Sequence, residues 1–293
     1  RFSSNNITTH GSNVDWAICA LHCIIFVGVL AWTYITASTR RIFHYIATAI
    51  LLITTIYYFV MASDLGATAV PVEFRRYGLL GRTRQIFYTR WIGYFLNFSL
   101  IWFALLLLSG VGWGSIIYTV GLVMLWALMF LLGALVASSY KWGFWIIAVV
   151  LYFLICWQVM GVARRFASRV STEAGRIFLM LAGWELLMML LYPIAWACCE
   201  GGNKITNDTE QAFYAVLDTL SQGAFAVALL FLTRALDFDA HRLSFHEDGR
   251  IHNDRIHGEK HRPVQNGVQN GVVQDGVQNG VPAGGNVPPA TTT

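Results

Sequence analysis

Residues 43–66 read FHYIATAILLITTIYYFVMASDLG. No Asp, Glu, Lys or Arg interrupts this run before Asp64, and about 20 apolar residues are enough to cross a bilayer. Inside hydrocarbon the backbone must satisfy its own polar groups, so such a segment is a helix. The same pattern recurs outward from it, near 14–37, 43–64, 86–109, 113–137, 143–163, 177–199 and 211–235. Composition agrees: 56% of the residues are hydrophobic and 12% charged, with a mean hydropathy of +0.54. That is too apolar for a soluble domain of 293 residues. The expected fold is an all-α membrane protein, a seven-transmembrane helix bundle over 14–237. A polar segment, 1–13, precedes it and a tail, 238–293, follows.

The opening RFSSNNITTHGSNVDW has no cleavable-signal pattern. Orientation follows from Lys and Arg. With the N-terminus outside, the inner connections hold Arg40, Arg41, Arg164, Arg165, Arg169 and Arg176, and the tail side adds six more basic residues. The outer connections hold Arg75, Arg76, Arg82, Arg84, Lys141 and Lys204, so the loop around 65–85 blunts the bias. Asn6-Ile-Thr and Asn207-Asp-Thr are glycosylation triplets that fall outside in this orientation; Asn97-Phe-Ser matches too but lies inside a span. The tail is charged and His-rich, then repeats QNGV and QDGV, and is expected to be disordered. His241, His246, His252, His257 and His261 are irregularly spaced without cysteines, which fits a solvated tail better than a metal site.

The five cysteines lie in or beside the spans without a zinc or redox spacing, and read as small buried apolar residues. There is no P-loop, GxSxG or HExxH, so neither an enzyme nor a metal site is expected, and nothing points to nucleic acid. What remains is the polar groups at membrane depth, which are functional suspects because they are costly. Two acids lie deep, Glu185 and Asp218, and one base, Arg90. Asp15, Asp64, Glu200 and Glu210 fall at helix ends or outer loops, and no lysine lies within a span. In LDTLSQG, residues 217–223, Asp218 and Gln222 are four apart and share a helix face.

Several segments, in order, resemble the microbial rhodopsins, in particular their fungal branch. They are FHYIATAILLITTIYYFVMASDLG, VPVEF, RQIFYTRW, SSYKWG, YPIAW with CCEGGN, and EQAFYAVLD, spread over about 14–237. The resemblance implies seven helices around a retinal pocket, with the N-terminus outside. It also implies that the retinal lysine falls at Gln222, four residues after the aspartate Asp218. An amide has no nucleophilic amine and forms no Schiff base. The family arginine is Arg90, its counter-ion position is Gly93, the proton-donor position is Ala104 and the third-helix proline position is Ser99. Tyr192, Pro193 and Trp196 match, while Met189 stands for a tryptophan and Tyr94 for another.

With lysine and counter-ion both lost, Arg90 and Asp218 remain as a neutral buried pair, with Tyr58 and Tyr192 expected to hydrogen-bond Asp218. Glu185 is either a proton relay or a carboxyl held neutral by burial. Glu200 and Glu210 match the outer acids of the family and are expected only to cap loops. A relict pocket lined by Trp91, Tyr94, Trp145, Tyr192 and Trp196 is expected to admit at most a non-covalent apolar ligand. The resemblance is strongest to opsin-related proteins that lack the retinal lysine, among them stress-inducible, heat-shock-type plasma-membrane proteins. It implies a non-photoactive, chaperone-like protein without covalent retinal. Its partners would be the bilayer, other plasma-membrane proteins such as a proton-pumping ATPase, and further copies of itself. The alternatives are a transporter, channel or sensor that uses the pocket, and a retinal-binding photoreceptor or ion pump.

Overall fold

The computed structural model describes residues 3, 5–36, 41–73, 83–234 and 236. The tail beyond 238 lies outside these residues, as do Arg40, Arg75, Arg76 and Arg82. Seven helices long and apolar enough to span a membrane are present: α1 Thr9–Ile35, α2 Arg41–Ala62, α3 Tyr88–Ser109, α4 Trp113–Leu135, α5 Lys141–Val170, α6 Thr172–Gly201 and α7 Asn207–Thr233. The seven-span fold is as expected from hydropathy. The ends are not, because apolar content marks the hydrocarbon and not the first helical turn. α6 begins five residues before the expected 177, where Ser171 Oγ accepts from Ala174 N at 3.0 Å and Glu173 faces the helix dipole. α7 begins at Asn207, not 211, capped by Thr206 Oγ1 accepting from Thr209 N at 3.2 Å. α1 begins at Thr9, capped by Thr8.

The connection 65–85, expected as a loop, carries an antiparallel hairpin of β1 Ala67–Pro71 and β2 Thr83–Phe87, registered Ala67↔Phe87 through Pro71↔Thr83. Asn5 bridges β2 from the other side: its N–H donates to the Thr83 carbonyl and its carbonyl accepts from Gln85 N, both at 3.0 Å. Thr8 Oγ1 donates to Asp208 Oδ2 at 2.5 Å. The hairpin, the N-terminal strap and the first turn of α7 therefore make one hydrogen-bonded end of the bundle, called the hairpin end below. Asn207 is buried there, and its amide donates to the Asn5 carbonyl at 3.0 Å and the Gln85 carbonyl at 3.3 Å. A side chain so committed is no glycan acceptor, which removes one expected triplet. Asn97 lies inside α3 as expected.

Cys19 and Cys199 are buried as expected, but Cys23 is exposed on α1. Lys141, expected in a loop, is the first residue of α5 and buried; its Nζ donates to the Glu200 carbonyl at 3.3 Å. That anchors it at the hairpin end, where α6 terminates. The other described lysine, Lys204, is exposed in the connection before α7.

Candidate functional site

Four helices, α2, α3, α6 and α7, meet around Asp218 and Gln222. A π-turn over Thr219–Ala224 interrupts α7 there, a local irregularity that commonly marks functional sites in helices. Gln222 Oε1 accepts from Thr54 Oγ1 at 2.6 Å, Asn97 Nδ2 at 2.7 Å and Tyr57 OH at 3.0 Å. One turn back, Asp218 Oδ2 accepts from Tyr58 OH at 2.7 Å and Tyr57 OH at 3.0 Å; Oδ1 accepts from Tyr192 OH at 2.7 Å and Gln222 Nε2 at 3.4 Å. Tyr192 OH also lies 3.0 Å from Ser221 Oγ. All of these side chains are buried. Tyr58 and Tyr192 take the roles expected of them; Tyr57, Thr54 and Asn97 were not anticipated. With donors on both oxygens, Asp218 is in the surroundings of an ionised carboxylate, which only accepts.

Gly93 faces Tyr57. A Cβ at Gly93 would lie 2.9 Å from Tyr57 Cε1, closer than carbon atoms pack. The ring of Tyr57 thus occupies the space beside position 93, and its hydroxyl ties Asp218 to Gln222. A glycine at 93 is what allows that ring its position.

Arg90 does not pair with Asp218. Its Nη1 donates to Glu210 Oε1 at 2.8 Å, its Nη2 to Gln211 Oε1, and its guanidinium lies 4.3 Å from the centre of the Tyr214 ring. Arg84 of β2 takes the other oxygen of Glu210, with Nη2 to Oε2 at 2.6 Å, and its Nη1 donates to the Ile205 carbonyl at 2.9 Å. The reason is axial position. Arg90 is the third residue of α3, at the hairpin end, whereas Asp218 lies eight residues into α7 from Glu210, about 12 Å at 1.5 Å per residue. Glu210 is therefore no loop cap but the shared acceptor of two buried arginines. Burial works to lower the Arg84 pKa, and the Glu210 carboxylate overcomes it and holds it above the ordinary value. Glu200 is also buried, with Oε2 accepting from Tyr214 OH at 3.0 Å. Cys199, Glu200 and Glu210 offer ligand atoms within 4.8 Å of one another. Both oxygens of Glu210 already face guanidinium groups, so this group is built as an ion-pair cluster.

The charge balance accordingly rests on two arginines and two fully hydrogen-bonded carboxylates, Glu210 and Asp218, in place of one pair. Glu185 is buried in α6 and neither of its oxygens meets a donor; Asp15 of α1 is the same. A protonated acid tolerates such surroundings far better than a carboxylate. Of the rings expected to line a pocket, Tyr94 and Tyr192 touch across the bundle, and Phe98 and Phe130, which were not among them, pack against Tyr192 and Trp91. Tyr94 meets Tyr192 with ring centres 5.1 Å apart, Phe98 meets Tyr192 at 5.2 Å, and Trp91 stacks on Phe130 at 5.5 Å. These are contact distances for aromatic pairs. Trp196 and Met189 are buried, and half-buried Trp145 donates its Nε1 to the Pro193 carbonyl at 3.0 Å.

This arrangement of helices is shared with solved proteins. The light-driven proton pump LR (Mac) from Leptosphaeria maculans superposes with a TM-score of 0.75 at 27% identity, over 79% of this chain and 99% of that one. The sequence profile of the "Bacteriorhodopsin-like protein" family matches residues 12–236. The chain belongs to the bacteriorhodopsin-like family. Within this family it is 38% identical over 237 residues to the opsin-like protein carO of Fusarium fujikuroi, covering 80% of this chain and 77% of that protein. It is 29% identical over 235 residues to the 30 kDa heat shock protein of Saccharomyces cerevisiae, covering 73% and 69%. The family's seven-helix frame thus holds, in this chain, an interior knotted at Gln222 and a double arginine clamp on Glu210. Neither the clamp nor the share of Tyr57 in the knot was legible beforehand. The one sequence signal for the clamp was the arginine at 84, six residues before Arg90.

Proposed function

We propose that this chain is a non-photochemical, opsin-related protein of the plasma membrane, with its N-terminus outside and a stress-associated, chaperone-like role. The observation that carries the reading is the amide at 222. It supplies no amine for an imine, and its oxygen is engaged by Thr54, Tyr57 and Asn97. The contacts of Tyr94 and Phe98 with Tyr192 support it, since a ligand lying between these helices would have to part them. The likeness to the 30 kDa heat shock protein supports the stress association, and the Lys and Arg distribution supports the orientation. The protein's partners on this reading are the bilayer, other membrane proteins such as a proton-pumping ATPase, and copies of itself.

Purified protein mixed with all-trans retinal is expected to develop no red-shifted band, and borohydride to fix no retinal to it. A light-bleachable visible band in the unmodified protein would overturn the reading. Gln222→Lys alone is expected to remain colourless. Adding Gly93→Asp, a restoration of the counter-ion by composition, must first displace the Tyr57 ring.

A further inference from the structure

The two buried acids without donors sit in different company. Glu185 lies on the face of α6 that also buries Phe178, Ala182 and Met189, among apolar side chains. Asp15 lies on a buried stripe of α1 with Gly11, Cys19 and His22. Two close approaches set this stripe against α7. A Cβ on Gly11 would lie 2.6 Å from Asp208 Oδ1, and one on Gly223 would lie 3.0 Å from His22 Nε2. α1 and α7 both start at the hairpin end and run the same way. One turn inward from the Gly11–Asp208 approach, Asp15 is therefore level with Gln211.

Gln211 is a half-used amide. Its Oε1 accepts from Arg90, while its Nε2 is buried with no acceptor; Arg90 Nε is buried without one as well. Both oxygens of Asp15 are buried without a donor. The charges whose fields reach Asp15 are those of Arg90, Glu210, Asp218 and Asp208. Two acceptors and two sets of donors thus stand at one level of the bundle without direct bonds. Water, which donates and accepts and makes about three hydrogen bonds when buried, is the species that satisfies both kinds at once.

We propose that Asp15, Gln211 and Arg90 form an internal water site, and that Asp15, as the protonated acid, exchanges its proton with solution at the hairpin end through it. Arg90 Nε donates to one water, which donates in turn to the Asp15 carbonyl oxygen, and the Asp15 O–H donates to a second water that also accepts from Gln211 Nε2. Exchange moves one proton from Asp15 to that water while another returns, so the net charge is unchanged. Glu185, on the apolar buried face of α6 with Phe178, Ala182 and Met189, is the internal control.

The test is infrared spectroscopy of the full chain in lipid nanodiscs, before and after transfer to D2O. Asp15→Asn is expected to remove one protonated-carboxyl C=O band, and Glu185→Gln another. The Asp15 band is expected to shift at least about tenfold faster than the Glu185 band, and Gln211→Leu to slow it toward the Glu185 rate. Should Asp15→Asn fail to assemble, Asp15→Glu is expected to move the same band and keep its fast exchange. The proposal is overturned if neither variant alters a protonated-carboxyl band. It is equally overturned if that band exchanges no faster than that of Glu185, or if Gln211→Leu leaves its exchange unchanged.

Discussion

The two halves of this bundle handle buried polarity in opposite ways. At the hairpin end, Arg84, Arg90, Glu210, Gln211 and Asn207 are buried and bonded to one another or to backbone. Beyond the Gln222 knot, toward the far end, the buried side chains include Ala47, Ile101, Leu105, Leu108, Phe178, Ala182, Ala226 and Leu229. Among the described residues Glu185 is the one buried acid there. Where charges are many, Arg84, Arg90 and Glu210 partner one another and the strap, hairpin and α7 are fastened through them; among the described residues Asp15 is the one buried acid at this end whose oxygens meet no protein donor. Where the acid is alone, an uncharged carboxyl in an apolar layer suffices.

The largest effect is expected where a partner of two charges is removed. Glu210→Gln leaves two buried guanidinium groups without a carboxylate and should destabilise by about 3–5 kcal/mol, read by SDS titration of the protein in mixed micelles. Combining it with Arg90→Gln should cost clearly less than the sum of the single changes, whereas Asp218→Asn and Arg90→Gln should be close to additive. A strong coupling between Asp218 and Arg90 would return them to a single ion pair and break the two-cluster description.

At the knot, Gln222→Leu removes the acceptor that Thr54, Tyr57 and Asn97 share, leaving them the Ile50 carbonyl, Asp218 Oδ2 and Thr54 Oγ1 respectively, and should cost about 1–3 kcal/mol by the same titration. Gly93→Ala forces the Tyr57 ring aside and should cost a similar amount, about 1–3 kcal/mol. Tyr57→Phe in that background should not relieve it, because the clash is with the ring and not the hydroxyl. Relief by Tyr57→Leu, and none by Tyr57→Phe, is the pattern that identifies the ring as the obstacle. The smallest effect is expected at the far end: Glu185→Leu should change stability by no more than about 1 kcal/mol and can raise it, since it removes a polar group that meets no donor. A loss as large as that of Glu210→Gln would mean that Glu185 has a partner, and the contrast between the halves would fail.

Hydropathy by itself determined the seven helices and the class of protein, because lipid leaves the backbone no alternative and a run of apolar residues is legible without neighbours. The residue types at 222 and 93 were equally legible, since the absence of an amine or a carboxylate needs no geometry. Which groups pair was not. Arg90 and Asp218 were the deep base and a deep acid, and their pairing followed from counting charges; the register of α3 against α7 instead set Arg90 beside Glu210, an acid whose place near a helix start made it look superficial. The hairpin escaped notice because its strands are five residues each and pair across a connection rich in arginine. Partner choice in a helix bundle depends on the axial position and rotation of each helix, and these come from packing such as Tyr57 against Gly93 and His22 against Gly223. No single segment carries that information, so only the assembled helices decided it.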